Sequence, residues 1–373
     1  MSRMLIRHTL VAALLIVAPS LSARVAHAVP RYSARYEQNC MLCHVNPTGG
    51  GMRSEYAVQE LIPKELAMSS HRPSAMTAID SHLNKAVRIG ADFRQQYMAE
   101  SKDGPQGGLQ GFFPMQGDIH LSFQLDERYL LYLKHGMSNT YELWGLAHVL
   151  PHDGYVKVGR FVPPYGWHFD DHTMYVRSDL GFAPPANTDA GLEVGIAPKR
   201  GDLQVAVVNG NRGGTLDNDR RLAFAATGGL RFKLGSVATY VGASGYSQPG
   251  ATADLGMAGL YGSLSAGPVT WVGEGDLVRR DPVNGPAVSS GVASNELSVL
   301  VRQGLEVVGT YDWYDPDRDH ATGSRSRWGL GARLTPMPFL ETQLLVRRTQ
   351  VTAGSAVSGP SWDEAVVQFH LMY

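Results

Sequence analysis

Cysteine is nearly absent from this chain of 373 residues, which has only Cys40 and Cys43, so the sequence excludes a disulfide framework. An excess of one charge is also missing. The 33 Lys and Arg residues balance 34 Asp and Glu residues, which excludes the basic face that nucleic-acid binding requires. The mean hydropathy of −0.16 excludes a bundle of transmembrane helices. Strands that alternate apolar and polar residues give the same low average, so a transmembrane barrel is compatible with it.

The first residues have the features of a secretory signal. Arg3 and Arg7 supply a charged start, Leu10–Val17 supply a short apolar core, and Ala26-His27-Ala28 fits the small-x-small rule for cleavage. A transmembrane anchor is the alternative, but a spanning helix needs about 20 apolar residues. We therefore predict a signal peptide over residues 1–28 and an exported chain that begins at Val29.

Two regions of the mature chain differ in pattern. Residues 29–84 show no alternation, whereas residues 85–373 alternate apolar and polar side chains with a period of two, as strands with one apolar face do. In one stretch the apolar face consists of Leu222, Phe224, Ala226, Gly228, Leu230 and Phe232. About sixteen candidate strands follow one another. This pattern predicts an all-β, antiparallel fold for residues 85–373.

The connections between the candidate strands alternate between short and long. Leu234–Ser236 and Gln303-Gly304 are short, whereas Val162–Thr188 and Asp281–Asn295 are long. Short turns on one rim and long loops on the other are typical of bacterial outer-membrane barrels, and a closed barrel leaves no unpaired strand edge in lipid. We therefore predict a transmembrane antiparallel β-barrel of the cell outer membrane. The alternative is a soluble all-β protein with aromatic residues in its core.

Two short segments resemble known outer-membrane proteins. The terminal Phe369-x-Leu371-x-Tyr373 is similar to the C-terminal signature of outer-membrane barrels, which ends in an aromatic residue. Val156–Gly166 resembles the strand and loop of phosphate-selective-type porins. The resemblance implies a porin-like barrel and does not imply phosphate as a substrate.

The segment Cys40–His44 reads Cys-Met-Leu-Cys-His, and this C-x-x-C-H pattern attaches a c-type haem. The spacing puts both sulfurs on one side of a turn, and the adjacent His44 becomes the proximal ligand of the iron. The alternatives are a chance pair of thiols or half of a zinc site, which would need further Cys or His ligands. We predict one haem c, bound covalently by Cys40 and Cys43, with His44 on the iron.

The second axial ligand is expected within the same N-terminal region. The candidates are Met52, Met68, His71, Met76 and His82. We favour His71 or Met68, and an open or water-bound iron is the alternative. The glycine run at 49–51 would let the backbone pass close to the macrocycle, because glycine has no Cβ.

A haem-bearing N-terminal segment (residues 29–84) joined to a barrel (residues 85–373) resembles the fused cytochrome-porins. The resemblance implies that the haem segment lies in the periplasm or inside the lumen. It also implies electron transfer at or across the outer membrane, with an extracellular metal donor such as Fe(II). We expect a soluble periplasmic electron carrier as partner, and an electron carrier rather than a substrate-converting enzyme. Two alternatives stay open: a solute porin, for example for anions, with a haem-bearing periplasmic plug, and a catalytic haem such as a peroxidase.

Three polar features lie in the barrel sequence. The longest connection, Val162–Thr188, exceeds the usual length of a structureless loop, so we expect it to bend into the lumen as a constriction. Glu274 and Asp276 have the parity of lumen-facing residues. A cluster of acidic residues is expected on one long loop, where a solvated loop is favoured over a cation site. This cluster comprises Asp312, Asp315, Asp317, Asp319 and His320.

Overall fold

The structure is a computed structural model. It describes residues 30–74, 80–102, 108–137, 141–183, 187–214, 219–320, 322–352 and 361–373. The predicted signal peptide and the candidate ligand Met76 lie outside the described residues. Strand β1 begins at Val87 and the last strand ends at Met372.

Sixteen strands form one closed barrel, in which each strand pairs antiparallel with its neighbours in the chain and the last strand pairs with the first. The prediction of about sixteen antiparallel strands is confirmed. The strands are β1 Val87–Glu100, β2 Gln110–Gln124, β3 Tyr129–Gly136, β4 Tyr141–Leu150, β5 Gly154–Phe161, β6 Asp189–Ile196, β7 Gly201–Val208, β8 Ala223–Leu234, β9 Val237–Gln248, β10 Ala253–Ala266, β11 Val269–Pro282, β12 Val288–Arg302, β13 Leu305–Asp315, β14 Arg325–Met337, β15 Leu340–Val351 and β16 Ser361–Met372.

The barrel is apolar outside and polar inside. Along β8, Phe224 and Leu230 are 54% and 66% exposed on the outer surface, whereas Thr227 is 8% exposed inside. Along β1, Phe93 faces outward and Asp92 is 4% exposed inside. Successive strand residues point to opposite faces, so the period of two in the sequence produces this separation directly. An apolar belt around a polar lumen is the pattern of transmembrane barrels.

The two rims of the barrel differ in the length of their connections. Two-residue turns at 235–236, 267–268, 303–304 and 338–339 lie on one end, here named the short-turn rim. The opposite end, the long-loop rim, carries connections such as 162–188 and 209–222. The predicted loop Asp281–Asn295 is wrong in extent, because β11 continues to Pro282 and β12 already begins at Val288. Its small residues alternate too weakly in polarity to indicate a strand.

Residues 30–67, here named the N-terminal plug, fill the lumen from the short-turn rim. The plug contains helix α1 Pro30–Tyr36, a 3-10 turn Cys40–Leu42 and a π-helix Ala57–Leu66. Within the described ranges, no helix is long and apolar enough to cross a membrane. An apolar cluster joins the π-helix to the turn between β14 and β15. Its members include Tyr32, Leu61, Ile62 and Phe339.

Buried ion pairs anchor α1 to the wall of the barrel. Arg31 lies 3.1 Å from Glu306 and 3.2 Å from Glu341, and the Arg35 guanidinium lies 2.5 Å from Glu306. Arg333 on β14 contacts the same carboxylates from the wall side. All five side chains are buried, so the plug and three strands share one charge network.

The connection 162–188, here named the constriction loop, enters the lumen from the long-loop rim. The Trp167 backbone N–H donates to Glu274 at 2.6 Å, and the Tyr165 hydroxyl donates to Asp276 at 2.8 Å. A short helix, α2 Tyr175–Ser178, follows within the loop. The predictions of a folded constriction and of lumen-facing Glu274 and Asp276 are confirmed.

Candidate functional site

A cavity of about 220 Å³ lies in the lumen between the plug and the constriction loop. It is here named the lumen cavity. Both segments and the wall contribute to its lining. The lining residues with metal-ligating or thiol side chains include Cys40, Cys43, His44, Asp92, His168, Asp170, His172, Glu341 and His370. The C-x-x-C-H segment therefore opens onto a space enclosed by the barrel.

The cysteine segment forms a compact turn. The Asn39 side chain caps it by accepting from the Met41 backbone N–H at 3.1 Å. The Cys43 and His44 backbone N–H groups both donate to the Cys40 carbonyl, at 3.1 and 2.9 Å. The two cysteines are free thiols, half-buried at the cavity. The local fold thus places two thiols and the adjacent histidine within a single turn, as the sequence pattern predicts.

The glycine run holds this turn in place. Gly49 has φ +88°, and a Cβ built on it would lie 3.3 Å from Cys40 Sγ. Gly51 has φ +66°, and its Cβ would lie 2.5 Å from the Tyr132 hydroxyl oxygen on β3. L-residues with a Cβ rarely adopt this left-handed conformation. The backbone angle therefore favours glycine at both positions, and at Gly51 the Tyr132 hydroxyl leaves too little room for a Cβ.

His44 is held in its neutral form. Burial lowers its pKa to about 3, with the nearby positive charge of Arg53 acting in the same direction. Its Nδ1 is buried and has no hydrogen-bond partner among the described residues. The neutral imidazole is the form that ligates metals. His44 therefore suits an iron ligand better than a proton donor.

The thiols differ from those of a redox dithiol. Burial raises the pKa of Cys40 to about 11 and the pKa of Cys43 to about 12. A catalytic C-x-x-C motif instead needs a thiol pKa below its ordinary value. The raised pKa values of Cys40 and Cys43 therefore differ in direction from those of a catalytic dithiol.

The predicted second ligands lie away from this cavity. The Met68 backbone N–H donates to the Thr335 carbonyl at 2.8 Å on the short-turn rim, and His71 is exposed beyond it. Neither residue is among those that line the lumen cavity. His168, His172 and His370 line it together with His44. The sequence gave one signal for His168 and His172, because both lie in the longest predicted loop.

The residues of the acidic cluster predicted on one loop lie partly on strand β13 and partly in the connection after it. Asp312 is a buried residue of β13 that binds Arg327 at 2.8 Å, so its placement in a loop was wrong. Because side chains along a strand alternate between the two faces, the position of Asp312 on β13 places its side chain in the lumen. Asp317 and His320 do lie in the connection after β13, where they contact each other at 2.7 Å.

No family model matches this chain, and no curated protein sequence matches it. Solved structures do resemble it. An anion-selective porin from Comamonas acidovorans has a TM-score of 0.61 at 11% identity, over 77% of this chain and 99% of that one. OmpT of Vibrio cholerae has a TM-score of 0.57 at 10% identity, and the match covers 79% of this chain and 100% of OmpT. OprB of Pseudomonas putida has a TM-score of 0.58 at 9% identity, and the match covers 78% of this chain and 95% of OprB. At such identities the likeness concerns the fold, which is that of a porin-like β-barrel.

Proposed function

We propose that this protein is an outer-membrane barrel that holds one covalent haem c in its lumen and transfers electrons at or across that membrane. The observation that carries the proposal is the position of the C-x-x-C-H turn. It lies inside the barrel and opens onto a cavity shared with wall and loop residues. The apolar outer belt and the closed sheet support insertion in lipid, because every strand edge is paired.

Each residue of the motif has a defined part in this proposal. Cys40 and Cys43 would tether the porphyrin, and His44 would bind the iron through a neutral imidazole. Bound haem c supplies a one-electron couple between Fe(III) and Fe(II). The plug and the constriction loop both line the cavity, and burial is one of the levers by which a protein sets a haem potential. His168 and His172 of the constriction loop line the same cavity and would be the candidates for a second iron ligand.

The dimensions of the membrane imply a partner. The hydrocarbon core is about 30 Å thick, and one haem does not span it. The plug enters from the short-turn rim, which faces the periplasm in bacterial outer-membrane barrels. We therefore propose a soluble periplasmic electron carrier that docks at the short-turn rim, and an external donor such as Fe(II) that arrives from the long-loop rim.

The first experiment tests the cofactor and the location together. We expect the purified outer-membrane fraction to contain a barrel that stains for covalent haem and gives a c-type spectrum with one haem per chain. Cys40→Ser combined with Cys43→Ser should abolish the stain, while the barrel keeps its heat-modifiable migration on gels. A wild-type barrel without covalent haem would end the cytochrome proposal, and a periplasmic location would end the membrane proposal.

A solute porin is the second candidate, and the fold favours it because one of the similar structures is an anion-selective porin. The lumen of this chain, however, is crossed by both the plug and the constriction loop. We therefore expect low ion conductance in planar bilayers, together with reduction of the haem in intact cells by a membrane-impermeant donor. High conductance without such reduction would favour the porin.

A further inference from the structure

We propose that Asp170, Glu341 and His370 form a binding site for one divalent transition-metal ion in the lumen. Asp170 lies on the constriction loop, Glu341 on β15 and His370 on β16. One ligand atom from each residue lies within 4.8 Å of the others. The site is separate from the cysteine turn, although all three residues line the lumen cavity.

Each of the three residues is held from behind by a second side chain. Arg94 donates to Asp170 Oδ1 at 2.5 Å, and Arg31 donates to Glu341 Oε2 at 3.2 Å. His370 Nε2 donates to Asp92, because an ionised carboxylate can only accept. Outer partners of this kind orient metal ligands and fix the tautomer of a histidine ligand. Here they leave His370 Nδ1 and Glu341 Oε1 as the available ligand atoms.

The available atoms are buried without partners. His370 and Glu341 are each 2% exposed, and among the described residues His370 Nδ1 and Glu341 Oε1 have no hydrogen-bond partner. A buried polar atom without a partner costs about 1–3 kcal/mol. Arg333 Nε lies 3.6 Å from Glu341 Oε1, which is beyond hydrogen-bond length. A cation bound between His370 and the carboxylates of Asp170 and Glu341 would therefore satisfy both unpaired atoms.

The charges around the site do not oppose a cation. Three guanidinium groups contact the ligands, since Arg333 Nε also lies 3.6 Å from Glu341 Oε1. Asp92, Asp170 and Glu341 supply three carboxylates, and the arginines that contact them are Arg31, Arg53, Arg94 and Arg333. Glu296 and Glu306 pair with these arginines and with Arg35, so five carboxylates balance five guanidinium groups in this network.

The chemistry of the three ligands restricts which metal ions the site can bind. Two carboxylate oxygens and one imidazole nitrogen suit Mn(II), Fe(II) or Zn(II), whereas Ca(II) and Mg(II) prefer oxygen ligands alone. The inference does not depend on the haem. Metal binding can therefore be measured whether or not the proposed function holds.

The test uses the full-length barrel in detergent with Mn(II) as the probe. Loss of the six-line electron paramagnetic resonance signal of free Mn(II) counts the bound ions. We expect one bound ion per chain that Zn(II) displaces and a tenfold excess of Mg(II) does not. His370→Gln and Asp170→Asn should each weaken binding by about tenfold or more. Asp170→Asn keeps an oxygen for Arg94, and heat-modifiable migration confirms that each variant is folded.

Two variants serve as matched controls. His120→Gln changes a buried wall histidine on β2 that does not line the cavity, and Asp317→Asn changes the external acidic loop. Both should bind Mn(II) as the wild type does. The proposal is overturned if the wild type binds no ion, if His370→Gln binds as tightly as the wild type, or if Asp317→Asn abolishes binding.

Discussion

Two segments fill the lumen of this barrel from opposite rims, and they are attached to the wall in different ways. The N-terminal plug inserts arginines among wall carboxylates, as Arg31 and Arg35 do at Glu306. The constriction loop instead contributes carboxylates to wall arginines, as Asp170 does to Arg94 on β1, and its further contacts lie on several other strands. The ion pairs of the plug are therefore concentrated at one group of wall carboxylates, whereas the contacts of the loop are distributed around the wall.

This difference predicts different responses to damage. Arg31 alone contacts three wall carboxylates, at Glu296, Glu306 and Glu341, so one substitution weakens the whole anchor of α1. The contacts of the loop are distributed over several strands, so the loss of one contact should loosen only the nearby residues. The four predictions below test this contrast, beginning with the largest expected effect.

Arg31→Ala should release the plug. Removing one partner of a buried ion pair leaves uncompensated charge and costs about 3–5 kcal/mol. We expect the plug to become sensitive to trypsin at its remaining arginines and lysines, while the barrel stays intact on gels. Channel conductance should rise at the same time. A plug that resists trypsin as well as the wild type does would show that its anchor is not the arginine network.

Asp312→Ala should loosen the constriction loop without releasing the plug. Asp312 accepts the Tyr175 backbone N–H at 3.2 Å and binds Arg327, so its loss leaves a buried donor unsatisfied at a cost of about 1–3 kcal/mol. Hydrogen exchange should accelerate at α2 and its neighbours. Exchange in the plug serves as the internal control, and equal acceleration there would contradict separate attachment.

Gly49→Ala should disturb the cysteine turn locally. The left-handed backbone costs an L-residue about 1–2 kcal/mol, and the new Cβ would press on Cys40 Sγ. We expect less covalent haem per chain, measured by pyridine haemochrome spectra, with normal trypsin resistance of the plug. Gly235→Ala is the matched control, because it also has positive φ but has open space around its Cβ position.

Lys233→Ala should have the smallest effect. Lys233 pairs with Glu37 of the plug at 2.8 Å, but both side chains are exposed at the rim. Exposed ion pairs contribute about 0–1 kcal/mol. Trypsin resistance of the plug at sites other than residue 233 should stay at the wild-type level. A large loss would mean that the rim pair, rather than the buried network, holds the plug.

The sequence predicted those parts of the fold that depend on local pattern. Strand number, the short and long connections, and the inward parity of Glu274 and Asp276 all follow from a period of two and from turn composition. The extension of β12 back to Val288 was missed, because its first residues are mostly small and their polarity does not alternate clearly. Asp312 was assigned to a loop for a similar reason, since neighbouring acidic residues outweighed its strand parity.

The contacts inside the lumen could not be predicted from local pattern. Arg31 and Glu341 are separated by 310 positions, and no periodicity connects them. Glu341 and His370 lie directly opposite each other in the β15–β16 pair, and Asp170 joins them only when the constriction loop folds inward. The cysteine turn was predicted because its spacing is local. Its neighbours across the cavity depend on tertiary structure.

The enclosure of Cys40 and Cys43 has a consequence for biogenesis under the proposed function. An enzyme that forms thioether bonds cannot reach thiols that lie behind sixteen paired strands and a folded loop. Haem attachment must then precede insertion, while the exported segment is still extended in the periplasm. The barrel would then close around an N-terminal segment that already carries its covalently bound haem.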